Sequence, residues 1–285
     1  MDDALAALRQ SLCRPGQRAE LTPGELEEFA SRCVVALAAG GQGSRLQAVT
    51  EPKGVHKAAL TLPGGDTMIE RTIKMYRDAG FRNFVALVFH QANSVEQALG
   101  DGSHLGVRVT YSYDPEIPVG RGGAIRNALE NGSIPRDWNL IVHNPDDQIV
   151  NYPGNFPHDI VADHLAGVRQ GKVATAVVVD GSKYAYTGLR VEDGEIVEVR
   201  AYPVVPIPAH IGVTVFDPAA YEAFTRLFSL TKKSDFEGVL FPELAAQGKL
   251  YASMIPSECW IAVNDPKALD QLIETLSAEQ AAASR

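Results

Sequence analysis

Cys33-Val34-Val35-Ala36-Leu37-Ala38-Ala39-Gly40-Gly41-Gln42-Gly43-Ser44-Arg45-Leu46 is the stretch from which the fold is read. Cys33 to Ala38 is apolar and short, the pattern of a strand buried on both faces. It runs straight into Gly40, Gly41 and Gly43. Without Cβ atoms these residues let the backbone turn tightly and present N–H groups to an anion. Arg45 follows at once, with a planar donor fork that matches phosphate oxygens. The dinucleotide fingerprint is absent, because Leu46 stands where its third glycine belongs. No Gly-Lys-Ser/Thr ending occurs, so this is not a P-loop. An arginine inside the turn favours phosphate binding over a plain strand–loop connection.

Outward from that turn, strand and helix patterns alternate. Asp66 to Ala79 has helical spacing and ends at Gly80. Strands are predicted at 84–89, 107–111, 140–143 and 173–179, with helices over 122–129 and 156–169. Such alternation predicts an α/β fold with a mixed, mostly parallel sheet covered by helices, Rossmann-like. After residue 180 a hairpin is predicted around Glu192-Asp193-Gly194. A strand at 210–216, helices near 218–228 and 236–246, a strand at 250–255 and a helix from Pro266 follow, and the tail from Ser277 is expected to fray. Residues 1–32 read as a helical extension, with Thr22 as N-cap, Pro23 at the first helical position and Glu25 completing a capping box. The expected domain is 33–285, with a nucleotide half at about 33–150 and an acceptor half at about 151–285.

The chain has 285 residues, 45% hydrophobic and 21% charged, enough for one large core. A net charge of -9 disfavours non-specific nucleic-acid binding. Cys13, Cys33 and Cys259 are odd in number and scattered, which argues against zinc and a disulfide framework. The start Met1-Asp2-Asp3 lacks a secretory pattern, and the run Val34–Ala39 is far too short to span a bilayer. A cytoplasmic protein with no membrane partner is expected. His158 and His164 do not share a helix face and make a poor metal pair.

Two further segments carry chemistry. Ile117-Pro118-Val119-Gly120-Arg121-Gly122-Gly123-Ala124-Ile125 is a glycine-rich helix start. Leu140-Ile141-Val142-His143-Asn144-Pro145-Asp146-Asp147 is an apolar strand that ends in two acids. In open α/β sheets ligands sit at the carboxyl ends of strands. Mg²⁺ is commonly held there by one or two carboxylates plus substrate phosphates.

Taken together, these segments resemble the nucleotide-sugar pyrophosphorylases, or sugar-phosphate nucleotidyltransferases, whose architecture is GT-A-like. The family's Leu-Ala-Gly-Gly-x-Gly-Ser/Thr-Arg-Leu is matched by Ala38 to Leu46. The resemblance assigns Ala38, Ala39, Gly40, Gly41, Gln42, Gly43, Ser44 and Arg45 to the nucleotide. A catalytic lysine should follow: Lys57 gives alignment without gaps through Pro63 to Glu70, while Pro52-Lys53 matches by residue type. Pro118, Gly120 and Gly123 correspond to the segment that cups the base. Asp146 corresponds to the family's metal aspartate and implies Mg²⁺, with Asp147 beside it or on the acceptor side.

On the acceptor side the resemblance implies Gly188, Tyr202, His210 and Trp260 as contacts, yet three departures occur. The family's Glu-Lys-Pro is Ala201-Tyr202-Pro203, which loses a carboxylate that grips sugar hydroxyls. The family's Asn-x-Gly is His210-Ile211-Gly212. A second metal aspartate would fall at Ala262, which cannot bind metal; Asp265 or Asn264 could substitute. These departures imply an NTP paired with an unusual acceptor, such as a heptose or cyclitol phosphate. The expected reaction is attack by the acceptor phosphate on the NTP α-phosphorus, with loss of pyrophosphate. Alternatives are a non-catalytic nucleotide-sugar-binding regulator and a glycosyltransferase. The adjacent acids, lacking the Asp-x-Asp spacing, disfavour the latter. Self-association into a homo-oligomer stays open.

Overall fold

Two helices precede the first strand, α1 (Asp2–Leu12) and α2 (Pro23–Ser31). The capping box predicted at Thr22 is present: its hydroxyl accepts from Glu25 N and the Glu25 carboxylate accepts from Thr22 N. Phe29 and Ala30 of α2 enter the main core, whereas α1 buries no residue. Instead α1 is tied down by ion pairs, from Asp2 to Arg200 and from Arg9 to Asp180. This computed structural model describes residues 1–283, so the last two residues of the expected domain and tail lie outside it.

The first half alternates as predicted. β1 (Cys33–Ala39) is followed by three short 3₁₀ turns and α3 (Gln47–Thr50), then α4 (Met68–Asp78). A capping box at Thr67 and Glu70 starts α4, and Gly80, at φ 97°, follows its end. Next come β2 (Asn83–Val88), α5 (Ala92–Leu99), β3 (Arg108–Tyr113), α6 (Gly120–Glu130), β4 (Asn139–His143) and β5 (Asp147–Ile149). The sequence reading did not foresee α5. It starts from Gln91 in the left-handed region without a side-chain cap, so no start signal announces it.

The second half runs α7 (Phe156–Val168), β6 (Ala174–Val179), β7 (Ser182–Lys183), β8 (Gly188–Glu192), β9 (Glu195–Arg200), β10 (Val204–Val205) and β11 (Ala209–Phe216). It closes with α8 (Tyr221–Leu227), α9 (Phe236–Ala246), β12 (Leu250–Ile255), β13 (Trp260–Ala262) and α10 (Pro266–Ala283). β8 and β9 form the predicted hairpin.

Seven strands make the central sheet, in the order β12-β6-β11-β4-β1-β2-β3. β1, β2, β3 and β4 are mutually parallel, and β12 is parallel to β6. Only β11 runs antiparallel, to both β4 and β6. The chain moves outward from β1 through β2 to β3, then returns to place β4 on the other side of β1. That reversal opens a crevice at the carboxyl ends of β1 and β4.

Alternate residues of β1 feed opposite layers. Val35 and Leu37 meet Ile69, Ile73 and Tyr76 of α4 and Ile160 and Val161 of α7 in one cluster. Val34 and Ala36 belong to the other, with α6, α8 and α9. A third cluster seats Leu269, Leu272 and Leu276 of α10 against Leu46 and Met68. Among the described residues no helix is long and apolar enough to cross a membrane.

Candidate active site

A cleft of about 790 Å³ opens over the carboxyl ends of β1 and β4. Its wall contains Ala38, Gly40, Gly41, Gln42, Gly43, Ser44 and Arg45, the turn from which the fold was read. Gly43 has φ 61°, and a Cβ there would lie 3.3 Å from Lys57 Cδ. Glycine thus serves twice, for the left-handed backbone and for the passage of the lysine stem. Ala39 is fully buried and supports the turn from beneath.

The turn is pinned by a residue that the sequence reading did not single out. His56, 2% exposed, donates from Nε2 to the Gly41 carbonyl at 2.8 Å. Its Nδ1 accepts from Ala58 N at 3.1 Å, which fixes the tautomer. Burial lowers its pKa to about 4, so the ring is neutral at pH 7. No motif in the sequence marks this role.

Lys57 follows directly and its Nζ donates to Asp146 Oδ2, with both side chains largely buried. Lys53 is exposed on the turn Glu51–Lys53 and lies outside the cleft wall. Of the two lysines expected from sequence, the fold therefore brings Lys57 to the aspartate.

Asp146 and Asp147 follow β4 on a braced turn, with Asp147 opening β5. Gln148 Nε2 donates to the Pro145 carbonyl at 2.6 Å, and Arg71 holds Gln148 Oε1 at 2.9 Å. Asp147 accepts from Trp260 Nε1 at 2.9 Å and from Asn144 Nδ2 at 3.0 Å. Burial, with the neighbouring Asp146 charge second, raises the Asp147 pKa well above the usual carboxylate range. Beneath it His143 donates from Nε2 to the Asp147 carbonyl at 2.8 Å and shares a 3.0 Å bond with the Tyr76 hydroxyl.

β13 pairs with β5 and sets Ala262 opposite Asp147. Ala262 and Asn264 line the cleft. Asp265 lies outside the wall: its Oδ1 accepts from Ala268 N at 2.9 Å in the first turn of α10. The structure thus gives Asp265 a capping bond, and Asn264 the cleft position.

The segment expected to cup the base joins the same wall through Pro118, Gly120, Arg121 and Ala124. At Gly120, with φ 74°, a Cβ would lie 2.6 Å from the Ser234 carbonyl oxygen. Gly123 packs against Val119 and Ser229, beneath the wall. Asp114 accepts from Val119 N at 3.0 Å and lines the cleft, with its pKa raised by burial.

On the expected acceptor side, Asp147, His210, Gly212 and Trp260 all line the cleft. Gly188 and Tyr202 do not. Gly188 lies against Pro203 in the hairpin region, and Tyr202 is 63% exposed with φ 48°. The structure adds Lys233, Asp235 and Glu237, which the sequence reading left unassigned.

A family model described as nucleotidyl transferase matches residues 35–279. The chain is 27% identical over 235 residues to the mannose-1-phosphate guanylyltransferase catalytic subunit beta of Dictyostelium discoideum, covering 80% of this chain and 60% of that one. It is 27% identical over 195 residues to a glucose-1-phosphate thymidylyltransferase of Streptomyces antibioticus, covering 65% of this chain and 49% of that one. The chain therefore spans about half to three-fifths of the length of these relatives. Its fold matches a crystal structure from Bacillus anthracis, provisionally described as a glucose-1-phosphate thymidylyltransferase in complex with sucrose. The TM-score is 0.65 at 17% identity, over 85% of this chain and 94% of that chain.

Proposed function

The chain belongs to the nucleotidyl transferase family, and on that premise we propose that it joins an NTP to a sugar 1-phosphate or a sugar-like heptose or cyclitol phosphate, giving an NDP-sugar and pyrophosphate. The observation that carries the reading is the Lys57–Asp146 pair, held in one cleft with the Gly40–Arg45 turn and the Pro118–Gly120 segment. A soluble cytoplasmic setting fits three free cysteines.

The acceptor's phosphate oxygen attacks the α-phosphorus in line, a P–O bond forms, and the bond to the β-phosphate oxygen breaks. The nucleophile is already an anion, so no strong general base is required. Catalysis then consists of positioning and charge neutralisation. Backbone N–H groups of the glycine turn hold the phosphates, and Arg45 stabilises the departing pyrophosphate. Lys57 offsets charge on the transferred phosphoryl group.

The donor set suits Mg²⁺. Two carboxylates project at one strand end, and among the described residues only Lys57 donates to the Asp146 side chain. Among those residues no group of three or more His, Cys, Asp or Glu side chains forms a complete cage. Hard cations that keep water and substrate phosphates as ligands need none. Asp146 would hold the ion, with Asp147 beside it. Bound there, the ion would neutralise charge on the phosphate oxygens.

The test is pyrophosphate release with Mg²⁺, each NTP and a panel of hexose, heptose and cyclitol 1-phosphates. Release that depends on the acceptor and falls at least about a hundredfold in D146N supports the proposal. Release from wild type with no pair, or an unimpaired D146N, contradicts it.

A further inference from the structure

Arg121, Asp235, Glu237 and His210 form a polar group in the cleft wall, away from the Lys57–Asp146 pair in sequence and on different elements. Arg121 Nε lies 3.3 Å from Asp235 Oδ1, which also accepts from Arg121 N at 2.9 Å. Arg121 Nη1 lies 2.9 Å from Glu237 Oε1, and its Cζ sits 5.9 Å from the Phe236 ring centroid. The guanidinium is thereby fixed from three sides.

Glu237 is less well served. Both of its carboxylate oxygens are buried; Oε1 has only the ion pair with Arg121 Nη1, and among the described residues neither oxygen accepts a hydrogen bond of good geometry. A buried acceptor in that condition is costly unless a ligand or water completes it. Its other neighbour cannot do so. His210 Nε2 lies 3.1 Å from the Val213 carbonyl and 3.0 Å from Thr214 Oγ1; a hydroxyl can accept or donate, but the carbonyl can only accept, so the proton that satisfies both contacts sits on Nε2. Burial lowers the His210 pKa to about 4, which leaves Nδ1 a bare acceptor at neutral pH. That nitrogen is 3.9 Å from Glu237 Oε1. Two acceptors confront one another at the cleft wall, and Arg121 stands beside them as a donor.

Adjacent hydroxyls on one ring complement this set, since each can donate to one acceptor and accept from the guanidinium. We infer that His210 and Glu237, with Arg121, form a subsite that reads a vicinal diol of the bound ligand, which makes Glu237 a specificity-determining residue. The inference rests on the nucleotidyl-transfer reading of this cleft. Both substrates in that reading carry such diols: the ribose of the NTP, and the ring of the sugar or cyclitol phosphate.

Wild type and E237Q are compared in kcat/KM with the best NTP and acceptor from the panel, with the matching 2′-deoxy-NTP, and with monodeoxy forms of the acceptor. One analogue is expected to lower wild-type kcat/KM by about ten- to a hundredfold, chiefly through KM, the range for an unpaired partner of a charged hydrogen-bonding group. E237Q should show a similar loss with the complete substrates and little further loss with that analogue. The analogue that behaves so names the source, ribose or acceptor ring. If wild type tolerates every deoxy analogue, or if E237Q adds an independent loss to each, the subsite is overturned and Glu237 is only a counter-ion for Arg121. If wild type releases no pyrophosphate with any pair, nucleotidyl transfer fails by itself, and calorimetry decides the subsite. A preference for NTP over 2′-deoxy-NTP, or for an intact over a deoxy sugar phosphate, that E237Q abolishes would sustain it. Equal or absent binding would overturn it.

Discussion

Asp146 and Lys57 show what individual side chains contribute. A largely buried lysine and carboxylate neutralise each other in the cleft, and an entering polyphosphate gives the lysine a second partner. We expect K57A to lose about a hundred- to a thousandfold in kcat/KM, as removal of a transition-state charge partner does. K53A, altering an exposed lysine outside the cleft, should stay within about twofold. Comparable losses in both would show that the wrong lysine has been placed in the site. His56 acts at one remove, through the Gly41 carbonyl. H56F leaves that carbonyl and Ala58 N without their ring partner, so KM for the NTP should rise about tenfold and stability should fall by roughly 1–3 kcal/mol. Steady-state kinetics and urea unfolding check both effects. The sequence made Lys57 and Asp146 legible because a motif carried them. It left His56 silent, since pinning a loop by its backbone needs only a ring nitrogen at the right place.

Elements decide where those side chains arrive. β11 carries an irregularity between His210 and Thr214, where its register with β6 shifts. Gly212 sits within it at φ 74°, and a Cβ there would lie 2.2 Å from both Asn144 Nδ2 and Asp147 Oδ2. Bulges of this kind re-aim side chains beside active sites. G212A is expected to cost about 2–3 kcal/mol and to depress kcat, because it strains the backbone and displaces the Asn144–Asp147 bond. Chemical denaturation and pyrophosphate release would reveal either effect; an unchanged enzyme would show that the contact relaxes freely. β13 works similarly: its pairing with β5 brings Ala262 and Trp260 to Asp147. Most elements were legible as hydrophobic periodicity bounded by caps. α5 was not, because its start lacks a side-chain cap.

At the scale of the whole molecule, the core buries neutral histidines. Burial lowers the pKa of His56, His143 and His210 to about 4 and that of His164 to about 3. Between those values and the ordinary 6.5 the unfolded chain binds more protons than the folded one, so these groups destabilise the fold as pH falls through that window. Asp147, whose folded pKa is raised, acts in the opposite sense over the same window, joined by Asp114 and Glu237. Four histidines held low by burial outweigh Asp147, the carboxyl that burial raises furthest. The melting temperature should therefore drop by roughly 10 °C between pH 7 and pH 5. A melting temperature that is flat or rises on acidification would show that the buried carboxyls prevail.

By itself the sequence determined the strand–turn–helix alternation, the glycine turn and the acids at the end of β4. These depend on periodicity and on residue types needed at fixed spacing, and both survive in a one-dimensional string. Tertiary structure alone decided which lysine meets Asp146, that Asp265 caps a helix, that Tyr202 stays outside the cleft and that Glu237 enters it. Each of these depends on pairing between segments far apart in the chain. The return of β4 beside β1, the docking of α9 against the Gly120 turn and the register of β13 on β5 are set by packing of the whole core, and no local pattern encodes them.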